Sequence, residues 1–315
     1  MVILKKKTTI TERIKKKIFS NLFNLDSHFK KYFFFRIHSQ NIIVKRTALT
    51  GGFFNSNTDF YLTVYYQQNT KYIMPEGPSI VILKELVQQF SGHEVISVSG
   101  NSTIGIDRIK GHTVIAFKSW GKHFLICFED FTIKVHFLMF GTYRINERKD
   151  STPRLNLTFS NGEINLYTCS IKFLEGNLEQ YYDWSEDVMN ENWNPKAAEK
   201  KLEEIPNQMI CDALLDQNIF SGVGNIIKNE VLYLTYIHPE SLVGKIPSER
   251  LSEVVNECSR YSFDFLKWKK NYELRKHWLA YSKKKCERCD LPIQHKRTGL
   301  KNRRSFFCEN CQKLY

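Results

Sequence analysis

Leu214-Leu215-Asp216-Gln217-Asn218-Ile219-Phe220-Ser221-Gly222-Val223-Gly224-Asn225 lies between two stretches of helical period. Gly222 and Gly224 permit positive φ and a close backbone approach, and Asn225 is a residue type that caps a following helix. A helix that starts this way turns exposed amides outward, which suits a phosphate. A Gly-x-Gly between helices is more often only a turn, so the reading rests on what surrounds it. On both sides the period stays helical: 196–203, 207–216, 225–235, 248–268 and 270–281 are predicted helices, punctuated by Pro206, Pro239 and Pro247.

Upstream the period changes. Segments 94–99, 112–119, 123–129, 131–138, 154–160 and 163–168 mix β-branched and aromatic residues and read as strands. Asn161-Gly162 between the last two is a two-residue hairpin signal. Before them, Ile80, Leu83, Leu86, Val87 and Phe90 recur at helical steps, with Gly92 where a C-cap belongs. A half-polar stretch, about 175–195, reads as a linker. The order is a helix with antiparallel strands, then a helical region, then a basic tail from 284.

That tail carries Cys286-x-x-Cys289 and Cys308-x-x-Cys311. Two such turns can aim four thiolates at one point, and the spacing predicts a structural zinc site with no open position for chemistry. A redox-disulfide reading leaves the second matched pair unexplained. Around the ligands lie Lys283, Lys284, Lys285, Arg288, Lys296, Arg297, Lys301, Arg303 and Arg304, a cation density suited to phosphates. Cys127, Cys169, Cys211 and Cys258 sit in apolar patterns and read as buried free thiols.

The formal charge of +13 is misleading, because residues 1–73 hold 13 Lys/Arg against Glu12, Asp26 and Asp59. The remaining 242 residues are almost balanced, so nucleic-acid binding must be argued from local clusters. Residues 1–73 also contain no Pro, Cys or Trp, although the chain has 8, 8 and 5 of them. The segment admits three readings: a transit peptide, which should be richer in Arg and Ser; an extra domain; and untranslated sequence read through a misplaced start. The composition favours the last. No stretch reaches 18 uninterrupted apolar residues, which argues against a membrane span.

Four separated motifs together resemble the formamidopyrimidine-DNA glycosylase/endonuclease VIII family. They are Met74-Pro75-Glu76-Gly77-Pro78, Gly121-Lys122, Gly222-Val223-Gly224-Asn225, and the tail Arg303-Arg304-Ser305-Phe306-Phe307-Cys308-Glu309-Asn310-Cys311-Gln312-Lys313. The likeness runs from Met74 to about Lys313. It implies an α+β protein: a two-layer β-sandwich with an N-terminal helix (74–190), a helix–two-turn–helix DNA-binding domain (191–283) and a Cys₄ zinc finger (284–315). It further implies a monomeric base-excision enzyme acting on damaged DNA in the cytoplasm, at the nucleoid, with one structural zinc ion.

The same resemblance assigns roles. Pro75, exposed by removal of Met74, would be the nucleophile, because an α-amine of pKa near roughly 8 is partly neutral at physiological pH. Glu76 would move protons, Lys122 and Arg303 would assist successive eliminations, and Asn225 would hold a backbone phosphate. Met139, within His136-Phe137-Leu138-Met139-Phe140-Gly141, would fill the gap left by an extruded base, with Lys172 and Phe173 as second wedge. Each has a bland counterpart: helix N-terminal residues for Pro75 and Glu76, a hairpin or loop cation for Lys122 and Arg303, core packing for Met139 and Phe173.

Departures from the family pattern accompany the match. Lys172 stands where the family usually has Arg and lacks its planar fork, Ser79 replaces a frequent acidic residue, and the finger spacing is slightly long. Gly77 and Leu-Leu-Asp-Gln look closer to the endonuclease VIII branch, which leans towards oxidised pyrimidines. The competing reading is a non-catalytic nucleic-acid-binding protein. It gains force if Pro75 nitrogen stays in a peptide bond, its lone pair delocalised.

Overall fold

The computed structural model describes residues 42–45, 63–66 and 75–315. Strands β1 (Ile42–Lys45) and β2 (Thr63–Tyr66) pair antiparallel within a unit ending at Lys71. The expectation about the origin of residues 1–73 otherwise falls outside the described residues. All that follows concerns the second unit.

Helix α1 (Gly77–Leu86) has Pro78 in its first turn and buries Ile80 and Leu83. It does not end on glycine as expected: a 3-10 turn, Gln88–Phe90, intervenes before Gly92 at φ +78°. Then come β3 (Ser97–Ser99), β4 (Ala116–Trp120), β5 (His123–Cys127), β6 (Phe131–Ile145), β7 (Leu155–Phe159) and β8 (Gly162–Glu175). They form one antiparallel sheet in the order β3-β7-β8-β6-β5-β4. The two expected layers are halves of this continuous sheet, because β6 and β8 are far longer than the pattern suggested and run through both. Phe117, Phe124 and Ile126 from one half and Leu155, Leu157 and Leu166 from the other share a single core with α1.

The sequence signal for β6 broke at Leu138 because a bulge there, between Phe137 and Thr142, interrupts the alternation. Phe140 at φ +73° and Thr168 opposite it at φ +51° absorb the bend. The β7–β8 turn is also shifted by one residue from expectation. Phe159 pairs with Gly162, so Ser160-Asn161 form the turn and Gly162 opens the strand. Asn146 Oδ1 accepts from Glu163 N at 2.8 Å, and a Cβ on Gly162 would lie 2.0 Å from that oxygen.

In the helical region, α2 (Pro195–Glu203) is capped by Asn194. The helix expected over 207–216 shrinks to one turn, α3 (Ile210–Ala213). Met209 is extended before it, and after it the Asp216 side chain accepts from Asn218 N and turns the chain. Helices α4 (Asn225–Leu234) and α5 (Ser248–Lys270) follow expectation. The helix predicted over 270–281 is reduced to a 3-10 turn, Leu274–His277: Tyr272 adopts φ +58° before it, and after it the amides of Leu279, Ala280 and Tyr281 all donate to the buried Glu230 carboxylate. A side chain thereby satisfies three donors that a helix would have used. Strands β9 (Gln294–Thr298) and β10 (Arg303–Phe307) close the chain as a hairpin.

The stretch read as a linker is packed, not free. Trp120 Nε1 donates to Asp183 O at 2.8 Å, and Val188 N donates to Ser221 O at 3.2 Å. Beside it three glycines meet. Gly77 N donates to Gly222 O at 2.9 Å, and a Cβ on Gly121 would fall 2.6 Å from Gly222 N and 2.0 Å from Ser221 Oγ. This contact locks the start of α1, the β4–β5 turn and the helical region together. Gly121→Ala, at φ +51° with no room, is expected to cost about 2 kcal/mol and to lower Tm by roughly 4–8 °C. Gly105→Ala, where a Cβ meets nothing within 4 Å, should leave Tm within a degree or two. Thermal melting of the two variants checks this.

Candidate active site and nucleic-acid interface

Helix α4 begins without a side-chain cap of its own: Gly224 occupies the N-cap, and Asn225 is the first helical residue. Gly224 is not at positive φ but at −120°. It is glycine because Glu76 fills the space a side chain would need; a Cβ there would lie 2.3 Å from Glu76 Cδ. The cap comes from 150 residues away. Glu76 Oε1 accepts from Ile226 N at 2.7 Å and Oε2 from Ile227 N at 3.2 Å. A carboxylate on two amides at a positive helix end is a favourable pairing. Burial nevertheless pushes the Glu76 carboxyl above its ordinary range, against the pull of Lys122, the two amides and Lys269.

Pro75, half-buried, immediately precedes this carboxylate. Lys122 reaches the same place from the β4–β5 turn, with Nζ donating to Val223 O at 2.7 Å. Its ammonium is lowered to about 8, chiefly by burial, with Arg303 and Lys301 pushing the same way and Glu76 opposing. Asp187 is buried in the former linker and holds the turn. Its Oδ2 accepts from Gly121 N and its Oδ1 from Met189 N, both at 2.9 Å. Lys269, near the end of α5, donates to Ser79 Oγ at 2.5 Å and is also lowered to about 8 by burial. Ser79 thus accepts a bond from a lysine in the place where the family pattern often has an acidic residue.

Asn225 does not cap α4; its Nδ2 donates to Arg304 O in β10 at 3.0 Å. Beneath it, Lys228 is fully buried, donates to Ser305 Oγ at 2.8 Å, and is lowered to about 8 by burial. Arg303 is half-buried at the start of β10, close enough to act electrostatically on both Lys122 and Lys228. The structure therefore brings Pro75, Glu76, Lys122, Asn225 and Arg303 around the start of α4. Sequence reasoning missed Asp187, Lys228 and Lys269. Their positions show no pattern, since each acts by reaching a backbone or side-chain group distant in sequence.

Cys286, Cys289, Cys308 and Cys311 converge with sulfurs within 4.8 Å of one another, and among the described residues no other such cluster exists. Separations of 3.4, 3.5 and 3.8 Å suit a tetrahedral ion ringed by thiolates. These four residues could hold a metal ion. Around them the cations divide. Arg288 stacks on Tyr236 at 3.6 Å and donates to Tyr233 O, Lys296 pairs with Glu240 at 2.6 Å, and Lys283 pairs with Glu287 at 3.0 Å. Arg304 and Lys301 are exposed.

Met139 is 57% exposed, flanked by Leu138 and Phe140 at 46% and 52%, on the β6 bulge. Lys172 and Phe173 are not brought to it. Both lie within β8, facing Lys134 and Ile133 of β6; Phe173 packs edge-on against Phe131 at 5.3 Å, with Arg108 above it.

A sheet domain, a helical region and a four-cysteine hairpin thus meet at one carboxylate–lysine cluster. Residues 74–174 match the Formamidopyrimidine-DNA glycosylase N-terminal domain, and residues 185–261 match the Formamidopyrimidine-DNA glycosylase H2TH domain. The chain belongs to the formamidopyrimidine-DNA glycosylase/endonuclease VIII family. It is 30% identical over 232 residues to Endonuclease 8-like 3 of Xenopus laevis, covering 70% of this chain but only 38% of that protein. It is 25% identical over 215 residues to the DNA-(apurinic or apyrimidinic site) lyase Nei2 of Mycolicibacterium smegmatis, covering 65% of this chain and 84% of that one. Lactococcus lactis formamidopyrimidine-DNA glycosylase, solved with DNA containing an abasic site, shares the fold. The TM-score is 0.67 at 21% identity, over 76% of this chain and 99% of the other.

Lys228 makes the electrostatics testable. Its folded pKa, about 8, lies below the ordinary 10.5, so between these values the unfolded chain binds more protons than the folded one. Stability contributed by this group is accordingly absent below pH 8 and appears as pH rises from 8 to 10.5. Denaturant unfolding at pH 8 and pH 10 should show that Lys228→Met flattens the rise, relative to the same measurement on the parent.

Proposed function

We propose that this chain is a bifunctional DNA glycosylase and abasic-site lyase that removes oxidised bases, pyrimidines foremost, with the amine of Pro75 as nucleophile. The supporting observation is the buried Glu76 carboxylate, fixed on the first amides of α4 between Pro75 and the lowered ammonium of Lys122. A carboxyl raised by burial holds a proton more readily than a free one and can deliver it, while an amine lowered to about 8 can accept one.

In this reading the Pro75 amine attacks the anomeric carbon of the damaged nucleotide, the base departs with the proton shed by that amine, and the bond from the anomeric carbon to the ring oxygen breaks as Glu76 protonates that oxygen. The iminium so formed draws electrons from the adjacent C–H bond. Lys122 takes that proton as the 3′ phosphate leaves, and loss of the 5′ phosphate follows beside Arg303. Asn225, Arg303, Arg304 and Lys301 suit the flanking phosphates, which would supply most of the affinity. Leu138, Met139 and Phe140 suit the gap left by the extruded base. Phe173, packed in the sheet, and Lys172 support a second wedge less well. The thiolate set favours zinc, held by Cys286, Cys289, Cys308 and Cys311 as a structural ion.

The nucleophile exists only where Pro75 begins the chain. Protein begun at Met74, with the Met removed, should form a covalent adduct with abasic-site duplex under borohydride. The 315-residue chain, its Pro75 nitrogen acylated, should form none. Absence of an adduct with the shorter protein would remove the enzymatic reading and leave a nucleic-acid-binding module. Separately, a strong chelator should release zinc, detectable by a colorimetric dye, and weaken DNA binding at least tenfold.

A further inference from the structure

The hairpin that carries Arg303 is gripped on both sides of that residue by side chains of the helical region. Ahead of it, Asp212 of α3, only 3% exposed, accepts from Leu300 N at 2.6 Å and from Lys301 N at 3.0 Å. Behind it, Asn225 holds Arg304 O, Lys228 holds Ser305 Oγ, and Asn229 Oδ1 accepts from Phe306 N at 2.7 Å. The guanidinium of Arg303 itself makes no hydrogen bond or ion pair among the described residues. Its backbone is fixed and its charge is left available.

Asp212 differs from the other three grips. Asn225, Lys228 and Asn229 lie on α4, so altering them also disturbs the helix whose start holds Glu76. Among the described residues the Asp212 carboxylate bonds only to the tip of the finger hairpin. That tip is built for it: Gly299 sits at φ +67°, and a Cβ there would lie 2.3–2.5 Å from the carboxylate atoms. Asn302 follows at φ +48°, and Arg303 then opens β10 opposite Thr298. In a two-stranded hairpin the turn sets the register, and a slip of one residue exchanges the two faces. Here it would put Arg304 in place of Arg303.

We propose that Asp212 is a positioning residue: by pinning the Gly299–Asn302 turn it sets the register that aims Arg303 at a DNA phosphate beside Lys122. The proposal rests on the reading of this surface as a DNA site, and Asp212 touches no DNA itself. A buried carboxylate bonded to two turn amides is a strong local constraint, and it lies on the opposite side of Arg303 from all α4 contacts.

The test is a double-mutant cycle on the 315-residue chain, read as affinity for a duplex containing a tetrahydrofuran abasic analogue, which needs no free Pro75 amine. Asp212→Ala should weaken binding about tenfold when Arg303 is present and less than twofold in an Arg303→Ala background. Asp212→Asn, which keeps one acceptor oxygen, should recover part of the loss. Zinc content and Tm are followed in parallel, and Asp212→Asn carries the cycle if Asp212→Ala loses its metal. Equal losses in both backgrounds would show a general structural role and overturn the proposal. So would a loss below twofold with Arg303 present, or a parent that does not bind the duplex. A parent that binds but, begun at Met74, traps no adduct would remove the proposed chemistry while leaving the cycle fully readable.

Discussion

The bond from the Glu76 carboxylate to the first amides of α4 is the constraint around which the rest is arranged. It links residue 76 to residues 226 and 227, and so the first turn of the sheet domain to the heart of the helical region. A buried carboxylate is costly to leave unpaired, and a helix start has donors to spare. Each solves the other's problem. The arrangement explains Gly224, which leaves room for the carboxylate, and the meeting of Gly77, Gly121 and Gly222, which brings three backbones close enough for the bond to form. It also dictates where Lys122 must sit, since the β4–β5 turn is held against the same glycines by Asp187.

Three lysines, Lys122, Lys228 and Lys269, share the neighbourhood of that helix start, and each is lowered to about 8 by burial. Among the described residues none of them forms an ion pair with a carboxylate, although Glu76 attracts all three. Their bonds are to a carbonyl or a hydroxyl: Val223 O, Ser305 Oγ and Ser79 Oγ. Cations held this way raise the local potential without neutralising it, which favours an anionic ligand over a neutral one. The charge that matters is therefore not the +13 of the whole chain, most of which resides in the first 73 residues.

How much of this was legible in the sequence depended on whether a feature was local. The cysteine pairs, the hydrophobic periods of α4 and α5, and the strands of the sheet were readable because each is fixed by near neighbours. What was not readable came from partners distant in sequence. The predicted helix over 270–281 has suitable period, yet Glu230 captures its amides. Asn225 looked like a cap because its residue type caps helices, but the cap is Glu76. The β6 and β8 strands looked short because the bulge at Leu138–Gly141 breaks their alternation. Asp212, Lys228 and Asp187 gave no signal at all, since an isolated polar residue in a helical or irregular stretch is ordinarily a solvated one.

The same distinction bears on the two expected wedges. Met139 stands on a bulge that interrupts strand pairing, so its side chain and those of Leu138 and Phe140 are turned outward while the strand continues behind them. Phe173 sits in unbroken pairing, where alternation assigns it to a face already occupied by Phe131 and Arg108. Freeing it would require breaking β8 from β6 as well as losing an aromatic contact worth about 0.5–1.5 kcal/mol. A bulge presents apolar side chains at no such cost. Of the two segments, the β6 bulge is the one that offers exposed apolar side chains free of strand pairing, whereas residues 172 and 173 are held within the sheet.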